Sequence, residues 1–315
     1  MSLAVVFPGQ GSQRIGMGQD WLDHPEAART FAEADAALGF PLSRLCFEGP
    51  EDELRLTSNQ QPAILACSIA IFRALAAELP EIRCMAGHSL GEYSALVAAG
   101  ALPLESALRI VRRRGELMQD AVPAGTGAMA AVIGLEPARI REIDAEVRTA
   151  LPGRVLAEAN FNSPEQTVVS GHADAVHAAM ERYSAAGAKR VVELPVSAPF
   201  HCELMTPAAD ALLPMLQETS FSATALPVIA NLTVEPYPAD PAQYAMHLHA
   251  QIFNPVRWTD SIARFRSMGV DSLLELGPGK VLRMLTVKTD REIRTYNIDT
   301  RADAEGLSSW LGGAA

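Results

Sequence analysis

The chain has 315 residues, 49% of them hydrophobic, 20% charged and 6% aromatic; this is enough apolar material for a large core in one domain or two, and excludes general disorder beyond the Gly-Gly-Ala-Ala end. A formal net charge of −11 disfavours a general grip on nucleic acid, although a local basic patch is compatible with an acidic whole. The N-terminus lacks the basic region of a signal peptide, and the longest apolar run, residues 64–79, is interrupted by Arg73 before it reaches the roughly 18 residues of a membrane span, so a cytoplasmic protein with no membrane contact is expected.

Residues 3–7 read as a short apolar strand running into Pro8-Gly9-Gln10-Gly11-Ser12-Gln13, a loop whose glycines permit unusual backbone angles. Several helical stretches follow, the clearest over 59–79 with Ser58 as its N-cap. Residues 82–86 read as a buried strand that meets Gly87-His88-Ser89-Leu90-Gly91; a helix then runs to Ala98 and another covers 104–121. Strand, tight turn and helix in that order predict an α/β sheet with mostly parallel strands. The rhythm then changes: strand 127–135, helix 137–149 opened by Pro137, strands 155–161 and 167–171 joined by Asn162-Ser163-Pro164-Glu165, helix 173–186 ending at Gly187, and strand 189–195. That βαββαβ order is the ferredoxin-like pattern, read as a small domain (125–195) inserted in a large one (1–124 and 196–315). Helix 203–217, strand 227–231, helices 241–251 and 258–268 and strand 271–275 complete the large domain, with Gly277-Pro278-Gly279-Lys280 at the end. There is no internal repeat.

Gly87-His88-Ser89-Leu90-Gly91 matches G-x-S-x-G, a nucleophile elbow: a turn too sharp for neighbouring side chains lifts Ser89 Oγ off the sheet, and the backbone N–H of Leu90 is placed to help hold an oxyanion. A serine hydroxyl needs a base. Of the seven histidines, His24, His172, His177, His247 and His249 fall on predicted helices or polar turns, and His88, inside the elbow, is expected to pack or hydrogen-bond locally. His201 lies on a strand-to-helix loop C-terminal to the serine, the order of α/β-hydrolase-like sites; a core or capping histidine is the competing reading. No Asp or Glu stands in a recognisable triad motif, although an amide or a carbonyl can orient a histidine as well. Arg114 adjoins Arg112 and Arg113, which by itself suggests a solvated helix face. Cys46, Cys67, Cys84 and Cys202 are scattered without a CxxC pair, so neither a zinc site nor a disulfide framework is signalled; buried thiols in a reducing compartment are expected.

Several motifs resemble, in order along the chain, those of the malonyl-CoA:acyl carrier protein transacylases: Phe7 to Gln13, Gln61-Pro62-Ala63, Gly87 to Leu96, Arg114 to Gln119, Gly125 to Ala131, Asn160 to Pro164, Phe200-His201, Asn254-Pro255-Val256 and Glu275 to Gly279. The resemblance implies an α/β-hydrolase-like large domain and a soluble serine acyltransferase. It assigns Ser89 as nucleophile, His201 as base, the carbonyl of Gln251 as the group that orients the histidine, Gln10 with the Leu90 N–H as oxyanion site, and Arg114 as partner of the malonyl carboxylate. It places Gln61, Met118, Asn160, Asn162 and Phe200 in the substrate pocket, with Phe200 limiting room for a 2-methyl branch.

The substrates so implied are malonyl-CoA and the phosphopantetheine thiol of acyl carrier protein, with no cofactor and no metal, in a monomer serving fatty acid synthesis. Alternatives are a discrete acyltransferase of a polyketide or malonate decarboxylase system, a serine hydrolase or thioesterase, and a catalytically dead binding subunit, which intact Ser89, His201 and Arg114 disfavour. Because such carriers are themselves acidic, docking requires a basic patch, for which Lys189 and Arg190, or Lys280, Arg283 and Lys288, are candidates.

Overall fold

A computed structural model describes residues 1–123, 125–196 and 198–313. Ala124, at the first expected domain boundary, Ser197, in the loop leading to His201, and Ala314 and Ala315 of the C-terminal end lie outside the described residues.

Strand β1 (Leu3–Phe7) is buried at every position, as a strand covered on both faces of a parallel sheet must be. After it come α1 (Pro25–Leu38), α2 (Leu42–Glu48), α3 (Glu51–Arg55) and α4 (Thr57–Leu75), then β2 (Ile82–Gly87), α5 (Gly91–Ala98) and α6 (Leu104–Asp120). The middle segment supplies β3 (Gly127–Ile133), α7 (Pro137–Ala150), β4 (Leu156–Ser163), β5 (Gln166–His172), α8 (Ala173–Ala185) and β6 (Arg190–Glu193). The chain ends with α9 (Thr206–Glu218), β7 (Val228–Ile229), α10 (Tyr244–Phe253), α11 (Trp258–Ser267), β8 (Ser272–Leu276), α12 (Val281–Thr289), β9 (Arg294–Ile298), α13 (Arg301–Glu305) and α14 (Leu307–Leu311).

Among the described residues the strands form two sheets. One runs β7-β2-β1-β8-β9 with parallel neighbours throughout. The other runs β4-β5-β3-β6 and is antiparallel. The molecule is therefore mixed α/β, with a parallel sheet and a separate antiparallel one. Alternation along β1 sends Leu3, Val5 and Phe7 into one apolar cluster and Ala4 and Val6 into another, with Trp258 and Phe265, on the opposite face. The antiparallel sheet buries Ala128, Ala130 and Val132 against α7 and α8, while Met129 and Ala131 on its other face join the main core. Backbone bonds Phe161 N–H to Val256 O (2.9 Å) and Val256 N–H to Ala159 O (2.9 Å) tie β4 to the segment before α11.

The structure corrects several expected boundaries. Ser58 is not the N-cap of the long helix: α4 begins at Thr57, Leu56 precedes it, and no side chain caps it. Instead Asn59 Nδ2 donates to Glu53 O at 2.7 Å, and Gln60 binds the carbonyl of Arg55, so the helix start is fastened to α3. Asn162 and Ser163 lie on β4, not in a loop, because Ser163 pairs with Gln166 across a two-residue turn. The strand expected over 227–231 is only Val228–Ile229, since Asn231 leaves the ladder to bind elsewhere. A 3-10 turn precedes each of α9 and α10. Past Lys280, where the apolar pattern predicts no elements, the chain adds α12, β9, α13 and α14.

Candidate active site

Backbone geometry places the serine. Ser89 takes φ 51°, in the left-handed region, between the end of β2 and the start of α5. A Cβ on Gly87 would stand 1.9 Å from the backbone of Gly91, and one on Gly91 would stand 2.1 Å from Phe7 O. Only glycine permits that approach of turn, helix and β1. Asn231 clamps the turn: its Oδ1 accepts from Ser89 N–H at 2.7 Å, its Nδ2 donates to Gly87 O at 2.6 Å, and its own N–H donates to Glu92 Oε2 at 2.9 Å. His88 turns away from the serine; its Nε2 bonds Asn162 Oδ1 at 2.9 Å, and its ring lies beside Trp258.

His201, also at positive φ (59°), brings Nε2 to 2.8 Å from Ser89 Oγ. Its Nδ1 is 3.1 Å from both Gln251 O and Asn254 O. Carbonyl oxygens only accept, so Nδ1 carries the proton and Nε2 turns a lone pair to the serine hydroxyl. Burial foremost, then the positive charge of Arg114, lowers the imidazole pKa to about 3, against a smaller opposing effect of the two carbonyls. The imidazole is therefore neutral. Two carbonyls occupy the place where a hydrolase triad puts a carboxylate.

Arg114 is 1% exposed. Its neighbours Arg112 and Arg113 are partly exposed and pair with Glu116, so the solvated helix face belongs to them. Arg114 Nη1 donates to Gln61 Oε1 at 2.8 Å; Nη2 donates to Gln251 Oε1 at 3.0 Å and to Ser89 Oγ at 3.2 Å. The guanidinium lies 5.6 Å from the Tyr93 ring centroid. Among the described residues Nε has no hydrogen-bond partner, and no carboxylate forms an ion pair with this arginine. A Cβ on Gly115 would come within 2.6 Å of Thr57 O, a contact of α6 with α4 close enough to bring Arg114 inward.

These groups open on a cavity of about 580 Å³ lined by Ser89, His201, Arg114, Gln10, Met118, Asn160 and Phe200, among others. Gly9 approaches His88 O so closely that a Cβ would lie 2.5 Å away, which sets Gln10 beside the elbow. Leu90 immediately precedes α5, where backbone N–H groups lack partners inside the helix. Two expected pocket residues do not line the cavity: Gln61 is fully buried behind Arg114 and Asn162 holds His88. Glu92, Asn231 and Asn254 also belong to the site, and sequence reasoning misses all three. Glu92 falls just past the elbow, in the run Gly87 to Leu96 whose resemblance assigns it no role; Asn231 carries no signal beyond a polar residue at the end of an apolar strand.

The other histidines lie away from the cavity: His172 accepts from Val155 N–H, His177 faces Glu193, and His249 faces Asp210. All four cysteines are free and buried. Among the described residues no group of three or more His, Cys, Asp or Glu is placed to hold a metal, and no helix is long and apolar enough to cross a membrane.

The Acyl transferase domain model matches residues 4–306. The chain is 47% identical to the malonyl CoA-acyl carrier protein transacylase of Salmonella typhimurium (strain LT2), covering 90% of this chain and 91% of that protein. It is 44% identical to the same enzyme of Bacillus subtilis (strain 168), covering 94% and 93%. A crystal structure of an acyl carrier protein S-malonyltransferase from Vibrio cholerae superposes with a TM-score of 0.94 at 44% identity, covering 98% of this chain and all of that one. A malonyl-transacylase in complex with its type II PKS acyl-carrier protein gives 0.94 at 42% identity, covering 99% and 100%.

Proposed function

The chain belongs to the acyl transferase family, and from that premise we propose that it moves a malonyl group from malonyl-CoA to the phosphopantetheine thiol of acyl carrier protein through an ester on Ser89. In the first half-reaction Ser89 Oγ attacks the thioester carbonyl while its proton passes to His201 Nε2. The N–H of Leu90 and the backbone beside Gln10 receive the negative oxygen. As the C–S bond breaks, His201 returns the proton to the CoA sulfur, leaving malonyl-Ser89. In the second half the carrier thiol gives its proton to His201 and attacks the ester, and Ser89 recovers the proton as it leaves. One thioester is exchanged for another, so no external energy input and no cofactor is required.

The observation that carries the substrate assignment is Arg114: a fully buried cation without a carboxylate ion-pair partner among the described residues, one nitrogen 3.2 Å from Ser89 Oγ. An arginine fork fits a carboxylate through paired charge-assisted bonds, and an acyl group lacking that anion leaves the cation buried and poorly compensated. Phe200, 7% exposed beside His201, crowds a 2-methyl branch. Met118 and Asn160 belong to the same pocket. The carbonyl orientation of His201 speaks against the hydrolase alternative. A polyketide carrier remains a second reading, favoured by the similarity to the transacylase bound to a type II PKS carrier; fatty acid synthesis is the pathway we assign.

The parallel-sheet part is read as α/β-hydrolase-like (1–124 and 196–315) and the antiparallel part as a ferredoxin-like insert (125–195), supported by the βαββαβ order and the β4-β5-β3-β6 arrangement. A cytoplasmic monomer is part of the same proposal. The test is to incubate the protein with radiolabelled malonyl-, acetyl- or methylmalonyl-CoA and trap the acyl-enzyme in acid. Malonyl label should predominate and vanish in Ser89→Ala; preferential acetyl labelling overturns the substrate, and release to water without transfer to carrier overturns the reaction.

A further inference from the structure

We propose that Glu92 is a positioning residue and the built-in counter-charge of Arg114, and that it thereby sets how strongly the site discriminates for an acyl group bearing a free carboxylate. The inference rests on the malonyl reading of Arg114. Glu92 is 1% exposed and lies in the first turn of α5, three residues after the nucleophile. Its Oε2 accepts from Asn231 N–H at 2.9 Å and Gln251 Nε2 at 3.1 Å, and its Oε1 accepts from the Tyr237 hydroxyl. Each of the first two partners reaches the reacting groups. Asn231 clamps both sides of the elbow. Gln251 accepts from Arg114 through Oε1, donates to Ser89 O at 2.8 Å through Nε2, and offers its backbone carbonyl to His201.

Burial raises the Glu92 pKa, while the Tyr237 hydroxyl, Asn231 N–H, Gln251 Nε2 and the charge of Arg114 all favour its carboxylate form, so one side-chain amide separates that carboxylate from the buried cation. A donor of Arg114 meets one end of the Gln251 amide, and the other end donates to Glu92. Arg114 has no ion pair among the described residues, so in the empty site Glu92 offsets its charge at one remove. Binding a malonyl carboxylate then places a second anion near a cation already partly compensated. Two consequences follow. Glu92 moderates the attraction for malonyl, which helps the malonyl group leave for the carrier. It also lowers the penalty of seating an uncharged acyl group, because Arg114 is not wholly uncompensated without a carboxylate.

Glu92→Gln tests this in the full chain. Glutamine has the same shape and can still satisfy all three partners: its carbonyl accepts from Asn231 N–H and Gln251 Nε2, and its amide donates to the Tyr237 oxygen, a hydroxyl that both gives and accepts. The readout is the ratio of kcat/KM for malonyl-CoA to that for acetyl-CoA, with the melting temperature measured alongside. The expected result is a ratio raised about tenfold, a conservative effect for a buried charge several ångströms from another, with a lower KM for malonyl-CoA and a slower second half-reaction. A loss of packing alone lowers both substrates together, so an unchanged or smaller ratio in a folded variant overturns the proposal. Glu92→Asp keeps the charge and shortens the reach; it should lower kcat and hold the wild-type ratio. If the glutamine variant does not fold, Glu92→Ser removes the same charge with a smaller side chain and is read by the same ratio: a raised ratio supports the charge role, and an unchanged or smaller one overturns it. A wild-type protein with no preference for malonyl over acetyl would mark the failure of the Arg114 reading, a separate result seen before any variant is made.

Discussion

His201 is the base in the proposed mechanism, and its surroundings keep it uncharged. Burial and the adjacent Arg114 lower its pKa to about 3 from the ordinary 6.5, so the neutral imidazole persists as pH falls through the usual histidine range and is protonated only far below it. In the free enzyme kcat/KM for malonyl-CoA should therefore be flat from about pH 8 to about pH 5, an interval in which an ordinary histidine would lose its lone pair. A limb near 6.5 assigned to His201 would contradict the geometry. Once malonyl occupies Ser89, its carboxylate offsets Arg114 and weakens the depression; the acid limb of carrier transfer, measured from preformed acyl-enzyme, should stand at higher pH than that of kcat/KM. Arg114→Ala removes the fork itself: malonyl labelling should fall about 10²-fold while acetyl labelling changes much less, since two charge-assisted bonds are lost by one substrate and none by the other. Ser89 is legible from its elbow alone, whereas His201 and Arg114 are legible only through the family resemblance, since by themselves one reads equally as a core histidine and the other as a solvated helix face. Asn231 is not, because its function depends on a chain reversal that brings residue 231 to residue 89. Gln61 and Asn162 are expected in the pocket for want of depth: the motif brings them to the site, but only packing decides that one stands behind Arg114 and the other behind His88.

At the scale of elements, the elbow is a crossing of β1, β2 and α5 with no room for a side chain. Gly91→Ala drives a methyl group to 2.1 Å from Phe7 O, which is backbone and cannot rotate away. Denaturant unfolding should show a loss of more than about 3 kcal/mol, or no folded protein at all. Gly153→Ala is the control: that glycine has φ +80°, and a Cβ there would meet nothing within 4 Å, so the variant should lose only about 1 kcal/mol from the left-handed backbone. The buried parallel strands announce themselves as continuous apolar runs, as with Leu3–Phe7, and the elements of the antiparallel sheet are read in correct order. Their ends are less legible. α4 starts where α3 fastens it, and β7 stops where Asn231 turns into the site. β9 is half-buried along most of its length, so its run Arg-Thr-Tyr-Asn-Ile lacks the apolar continuity that marks β1. α12 is anchored by Glu275, whose carboxylate accepts from Leu282 N–H at 3.1 Å and Arg283 N–H at 2.8 Å; a cap seven residues upstream is invisible to a search for a capping residue next to the helix.

The whole molecule faces an electrostatic conflict: its net charge is −11, and the carrier it is proposed to meet is acidic. Long-range attraction is absent, so docking must be local. The structure separates the two basic candidates. Lys189 and Arg190 are exposed at the start of the edge strand β6, but Lys189 lies 3.7 Å from Glu165. Lys280, just before α12, and Lys288 on it are exposed and flank Val281, Met284 and Val287, which are 50%, 47% and 37% exposed. Arg283 is less available, being partly buried and donating to Asn297 Oδ1 at 2.9 Å. An apolar stripe bracketed by lysines suits an acidic, amphipathic partner surface better than isolated charges do. The start of α12 is also joined to the cavity: Gly279 N–H donates to Asp299 Oδ2 at 2.9 Å, and Asp299 pairs at 2.9 Å with Arg14, which lines the cavity. Lys280→Glu with Lys288→Glu should therefore raise KM for acyl carrier protein about tenfold at low salt, with the gap narrowing as ionic strength rises. The rate of acyl-serine formation from malonyl-CoA should be untouched, because that half-reaction needs no carrier. If instead Lys189→Glu with Arg190→Glu produces the defect and the α12 pair does not, the carrier approaches over β6, whose chain continues into the cavity wall at Leu194, Pro195 and Val196. In either case carrier transfer should weaken without loss of malonyl loading, since in the proposed reaction the acyl group is chosen inside the cavity and the carrier is met outside it.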